Sequence, residues 1–366
     1  MINKNQYELS ERQVCLFFIA FLPVTKLFML PSVLSLNAAE DGWICALFNF
    51  LLDFTTLFFV LRACKNAKTD FFGLLENTLG KTVSKIVLSL YFLFFIIKSV
   101  LPITEQKDYI EHTLYTLNPT VLYFCPFFLL AILFCTKRLR AVGRAADVLW
   151  VSTALGLLVI FALSVSNMDF TAILPVGANG LAKIVKGSLS SFTWFGDALY
   201  FAFFIGQFEY KRKSRVKILT SFSISAFISI LFFIVFYAVF TSIAFRQKFA
   251  LTEISKYSTV INNIGRFDYI GIMLILFSNL FALSLPLFFA GKIFMRLFSI
   301  KNKWICAAVP VGIVAIIVVF LSQYSFTFEN IIMNFLSPVF LFFSNVLPVI
   351  ISFFTKKENK NAVAQS

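Results

Sequence analysis

Two charged side chains sit in stretches otherwise apolar enough to enter a bilayer. Asp197 lies in the middle of 188–207, SLSSFTWFGDALYFAFFIGQ, and Lys26 lies within 12–36. A lone charge near the centre of a membrane helix costs about 2.5–3.5 kcal/mol on insertion scales, so each needs a partner or a water-lined cavity. Being opposite in sign and similar in depth, the two can neutralise each other or hold a zwitterionic ligand between them. Each also stands in an interruption, Pro23-Val24-Thr25-Lys26 and Thr193-Trp194-Phe195-Gly196-Asp197. Proline lacks an amide donor and glycine tolerates unusual backbone angles, so freed backbone groups can line a site there. The candidate ligand-binding set is therefore Val24, Thr25, Lys26, Thr193, Trp194, Phe195, Gly196 and Asp197, with two hydroxyls from the threonines and an aromatic wall from Trp194. An inert buried ion pair would account for the charges alone; their placement at both breaks favours a site.

Other polar residues in apolar stretches are candidates for a relay or for support of that site: Asn49, Asp53, Lys98 and Asn279. Asn49 and Asp53, four residues apart, share a helix face. Asp53 can meet Lys98 or polar backbone at a break, and a packing hydrogen bond is its simpler role. Asn279 reads first as polar glue between helices, Ser221, Ser225 and Ser229 as a small-residue contact face, and Asp147 as an interfacial charge. His112 is the only histidine, and no cluster with it suits a metal. The six cysteines show no Cys-x-x-Cys spacing and read as small apolar thiols. No phosphate-binding glycine loop, nucleophile elbow or paired-carboxylate motif is visible, so an enzyme is the least supported class and neither cofactor nor metal is expected.

The elements that must position these residues follow from composition. With 59% hydrophobic residues, 50 phenylalanines and 14% charged residues, the chain reads as an all-α polytopic membrane protein. The polar start lacks the pattern of a cleavable signal peptide. Runs of about 20 apolar residues give ten spans, near 12–36, 43–61, 83–102, 120–135, 142–166, 187–209, 218–244, 267–298, 304–321 and 331–354. The third should continue as helix past Pro102 toward Glu111. The connections 167–186 and 245–266 are the longer ones.

Assigning alternate connections to alternate sides places 23 of the 32 Lys and Arg on one face. That face is expected to be cytoplasmic and to hold both termini. The net charge of +14 is then explained by topology and anionic lipid, with no nucleic acid needed. One transmembrane domain is expected over 1–355, followed by a cytoplasmic tail at 356–366. Ten spans divide into two sets of five, about 10–166 and 186–354, and an odd number per set forces the second to lie inverted. The first helix of each inverted repeat is the one interrupted near the midplane in such transporter architectures, and here those are the helices carrying Lys26 and Asp197.

Short motifs in order along the chain carry a resemblance: Ser10-Glu11-Arg12-Gln13, Phe28-Met29-Leu30-Pro31-Ser32, Asp41-Gly42-Trp43-Ile44, Leu79-Gly80-Lys81, Leu174-Pro175-Val176 with Asn179-Gly180, Phe195-Gly196-Asp197, and Gly265-Arg266-Phe267-Asp268. Over nearly its whole length the chain resembles the B subunits of spore germinant receptors, GerAB-like permeases of the amino acid/polyamine/organocation superfamily. It departs from them in having Val24-Thr25-Lys26 where the family often has a Gly-Thr pair, and Asp197 where it usually has Glu. The resemblance implies a LeuT-like fold, a small nutrient ligand such as an amino acid, and a membrane A subunit and lipoprotein C subunit as partners. It also implies location in the spore inner membrane or cell membrane. An autonomous secondary amino acid transporter is the alternative that the same residues allow.

Overall fold

The computed structural model describes residues 7–66, 69–113, 120–256, 268–321 and 324–353. The chain before Tyr7, the His112 side chain, the 265–268 motif up to Phe267 and the tail 356–366 lie outside the described residues. Apolar runs whose backbone groups have no water to bond must satisfy them within the segment, which selects helix. Accordingly the described elements are α1 (Glu11–Phe21), α2 (Leu30–Ala38), α3 (Gly42–Asn66), α4 (Phe71–Thr113), α5 (Thr120–Cys135), α6 (Leu139–Ser164), α7 (Leu181–Ser190), α8 (Ala198–Ala202), α9 (Ser214–Phe240), α10 (Ala250–Lys256), α11 (Asp268–Phe298) and α12 (Lys303–Leu321). A last helix, α13, runs over 325–353 with π-helical turns at Ile332–Leu336 and Phe342–Val346.

Seven helical stretches among the described residues are long and apolar enough to cross a membrane. The first and sixth expected spans are not whole helices because each is split: α1 and α2 around one break, α7 and α8 around the other. The fourth, α5, is short at 16 residues. Helix α4 does continue through Pro102, and Gly80, at φ +77°, bends its first two turns away from the span.

Helices α1, α6 and α11 pack together, and α11 also lies along α4. Small residues let α6 and α11 approach closely: a Cβ on Gly156 would stand 2.9 Å from the Gly271 carbonyl oxygen. Hydroxyl-to-backbone bonds between helices reinforce this, with Ser152 donating to Leu274 O at 2.6 Å and Thr153 donating to Ala20 O at 3.0 Å. Ser221, Ser225 and Ser229 are buried on α9, which packs against α1 and α3.

Ion pairs and polar contacts between connections join loops that a ten-span alternation puts on one face. Lys217 pairs with Glu11 at 3.2 Å, Arg296 with Glu76 at 2.8 Å, and Arg12 with Asp147 at 2.9 Å. At the other end Lys248 meets Asp108 at 3.3 Å. There too Asp41 accepts from the backbone amides of Gly177 and Asn179 at 2.8 and 3.1 Å.

Candidate functional site

Two breaks meet in the middle of the bundle. In the first, α1 ends at Phe21, Pro23 follows, Val24–Lys26 form a single 3₁₀ turn, and α2 restarts at Leu30. In the second, α7 ends at Ser190, Phe192–Trp194 form a 3₁₀ turn, and Gly196 turns the chain at φ +83° before α8. An L-residue with a side chain rarely adopts that angle.

Lys26 and Asp197 form a direct ion pair through Asp197 Oδ2. The Lys26 ammonium is fully buried; it also donates to Leu22 O at 3.1 Å and lies 5.5 Å from the Phe195 ring centre. A second ammonium, Lys98 on α4, donates to Phe195 O at 2.5 Å and stands 3.9 Å from Asp197 Oδ1. Asp53 does not contact Lys98. It takes the other course open to it and accepts the Gly196 amide with both oxygens, at 2.9 and 3.1 Å. Two ammonium and two carboxylate groups therefore share this buried region, and their formal charges cancel.

A cavity of about 30 Å³ lies between the breaks, lined by Thr25, Lys98, Ser99, Thr193, Trp194, Asp197, Tyr200 and the two prolines Pro102 and Pro286, among others. Thr193 is buried, and its hydroxyl has no hydrogen-bond partner among the described residues. A buried hydroxyl left unpaired costs free energy, which an occupant of the cavity can recover. A smaller adjoining cavity, about 20 Å³, shares Thr25, Asp197 and Tyr200. A wider cleft, about 540 Å³, opens elsewhere, beside Ser10, Arg140, Arg144 and Glu209, and includes no residue of either break. Within its walls Gln13 donates to Asp147 Oδ2 at 2.7 Å, and Lys211 pairs with Glu209 at 3.5 Å.

From Tyr200 in the cavity wall a layer of aromatic rings extends toward the end that carries Glu11 and Lys217. Tyr200 stacks on Phe289 at 5.4 Å, Phe203 lies 4.6 Å from the same ring, and Phe17 meets Phe204 edge-on at 5.0 Å. Toward the opposite end the Trp194 indole donates to Glu105 Oε1 at 2.7 Å.

The expected residues separate into groups. Thr25, Lys98, Thr193, Trp194 and Asp197 line the cavity, and Lys26 backs Asp197. Val24 is fully buried, while Phe195 and Gly196 contribute backbone to the Lys98 and Asp53 contacts. Asn49 braces the end of α7, donating to Ser188 O at 3.0 Å and Ser191 Oγ at 3.1 Å. Asn279 lies away from the cavity lining and donates to Gln106 Oε1 at 2.6 Å.

Sequence reasoning passed over Glu105, Tyr200 and Asn345. Glu105 carried a signal, since it stands seven residues after Lys98 and so on the same helix face; Tyr200 stands one turn after Asp197. Asn345, which donates to Asp53 Oδ1 at 3.0 Å, had only its polarity in an apolar helix to mark it.

An all-helical bundle with two apposed broken helices and a charged, cavity-lined centre is the architecture of a secondary transporter. Solved structures agree. A manganese transporter from Eremococcus coleocola superposes with a TM-score of 0.62 at 12% identity, covering 93% of this chain and 78% of its own. A nucleobase-cation-symport-1 family transporter, Mhp1, in a closed conformation with bromovinylhydantoin bound, gives 0.57 at 12% identity over the same shares. At that identity the likeness establishes the fold, the LeuT-like arrangement of two inverted five-helix repeats. The model of the family described as spore germination protein, a family of spore permeases, matches residues 8–327, and the chain belongs to that family. No curated protein matches the chain.

Proposed function

We propose that the chain is the nutrient-recognising B subunit of a spore germinant receptor. It takes a small neutral nutrient, an amino acid or close relative, at the paired breaks. It signals within a complex that includes a larger membrane A subunit and a lipoprotein C subunit in the spore inner membrane. The observation that carries this reading is the cavity between the breaks, where the unpaired Thr193 hydroxyl accompanies Lys98 and Asp197 in one lining. A ligand ammonium suits Asp197 Oδ1 and a ligand carboxylate suits Lys98. Because the formal charges of Lys26, Lys98, Asp53 and Asp197 cancel, a net-neutral ligand adds no uncompensated charge to a buried site.

A cavity of about 30 Å³ has room for little more than water. An amino acid therefore enters only if the breaks move, and binding is coupled to a change of conformation. That coupling is what a receptor needs. Deletion is expected to abolish the germination response to one nutrient while leaving cellular uptake of that nutrient nearly unchanged. Germination scored with a panel of single nutrients, beside radiolabelled uptake, reads both quantities. The second reading, an autonomous secondary amino acid transporter, rests on the fold shared with transporters. Accumulation of an amino acid against a gradient by the purified chain alone in liposomes would establish it in place of the receptor.

A further inference from the structure

One peptide unit in the second break is held by opposite charges at its two ends. The Phe195 carbonyl oxygen accepts from Lys98 Nζ at 2.5 Å, and the next amide, Gly196 N–H, donates to both Asp53 oxygens at 2.9 and 3.1 Å. Asp53 is on α3 and Lys98 on α4. Asp53 is held in turn by Asn345 Nδ2 at 3.0 Å, from the Phe342–Val346 π-helical turn of α13, and Ser344 Oγ stands 2.6 Å from both Asn345 Oδ1 and Phe340 O, its one proton shared between them. Lys98, Asp53, Asn345 and Ser344 are all buried. Hydrogen bonds to ionised groups are the strong ones, more so in a low-dielectric interior, and π-helical turns recur where a helix serves a site. Helix α13 also bears on the same peptide sterically, since a Cβ on Gly196 would lie 2.5 Å from Ser344 Cβ.

We propose that Lys98, Asp53 and Asn345 form a latch that fixes the plane of the Phe195–Gly196 peptide and so aims the next residue, Asp197, at Lys26 and the cavity. They are positioning residues. Turning that peptide breaks a bond to a cation and a bond to an anion together, so the latch opposes any rotation within the break. Lys98 is both a latch member and a cavity wall. A change at the cavity therefore reaches α13 through the Phe195–Gly196 peptide, Asp53 and Asn345. The inference holds whichever ligand the cavity takes.

Hydrogen–deuterium exchange of the full chain in lipid nanodiscs, read by mass spectrometry, tests it without any ligand. In Lys98→Met and in Asn345→Ala, exchange over 192–203 is expected to rise about ten- to hundredfold while α6 and α9 keep wild-type rates. The paired exchange Asp53→Asn with Asn345→Asp, which keeps one carboxylate facing one amide but leaves the Gly196 N–H with a neutral acceptor, is expected to restore slow exchange in part. Ser344→Ala removes the hydroxyl shared by Asn345 Oδ1 and Phe340 O and serves if either single variant fails to fold; a severalfold rise in the same segment is expected. Unchanged exchange over 192–203, a rise shared equally by α6 and α9, or no restoration in the paired exchange would each overturn the latch.

Discussion

Lys26 spends its donors inside the break, on Leu22 O and Asp197, and its side chain is fully buried. Removing one partner of such a pair strands the other charge, a loss of about 3–5 kcal/mol, whereas reversing the pair keeps the neutralisation. Asp197→Asn is therefore expected to lower the unfolding temperature sharply in detergent. Lys26→Asp combined with Asp197→Lys should recover most of that stability without recovering the ligand response. Wild-type nutrient sensitivity in either single neutral variant would remove these residues from the site. Trp194 offers a milder test, because Trp194→Phe keeps an aromatic ring but deprives Glu105 of its indole donor. A cost of about 1–3 kcal/mol is expected, and Glu105→Gln, which still accepts, should cost less. Equal losses in the two variants would mean that ring packing, and not the hydrogen bond, sets the effect. Sign and depth brought Lys26 and Asp197 to one place but left open whether they meet each other or hold a ligand between them; they meet directly. The pairing of Trp194 with Glu105 was not readable, because nothing in one dimension says that the face of α4 beyond Pro102 reaches the second break.

At the scale of elements, the breaks were readable because proline and glycine interrupt runs that are otherwise uniformly apolar. Their internal form was not. Each turned out to contain a 3₁₀ turn, and the second is closed by a last helix whose π-helical turns leave no mark in composition. Asn279 shows the limit of the same logic, since its polarity fitted equally the site and the Gln106 contact it makes. Gly196 ties two of these elements together. Its φ of +83° excludes an unstrained side chain, and Ser344 stands in the way of one. Gly196→Ala is expected to cost at least about 1–3 kcal/mol from backbone strain alone, with the steric clash added. With Ser344→Gly as the background only the strain remains, so Gly196→Ala should lower the melting temperature less there than in the wild type. An equal loss in both backgrounds would show that α13 does not crowd the break.

For the molecule as a whole, a cytoplasmic location of both termini stands on charge counting, and the structure supplies the geometry to test it. Lys213 immediately precedes α9, and Lys256 ends α10 after α9 has run 27 residues. At 1.5 Å per residue that helix is about 40 Å long, more than the roughly 30 Å of bilayer hydrocarbon. Both lysines are exposed, so a thiol placed at either can react with a reagent from its own side. With the accessible Cys15 and Cys125 replaced by serine, Lys256→Cys should label from outside intact cells with a membrane-impermeant maleimide. Lys213→Cys should label only after permeabilisation, because the loops grouped with it hold 23 of the 32 basic residues. Labelling of both from one side would contradict the ten-span alternation, and with it the inverted relation of the two halves that brings Lys26 and Asp197 together. The reverse pattern, Lys213→Cys outside and Lys256→Cys inside, would keep the fold but turn the chain over in the membrane. The Trp194–Glu105 end of the cavity would then face the cytoplasm, and the nutrient would reach the breaks past the Tyr200–Phe289 layer.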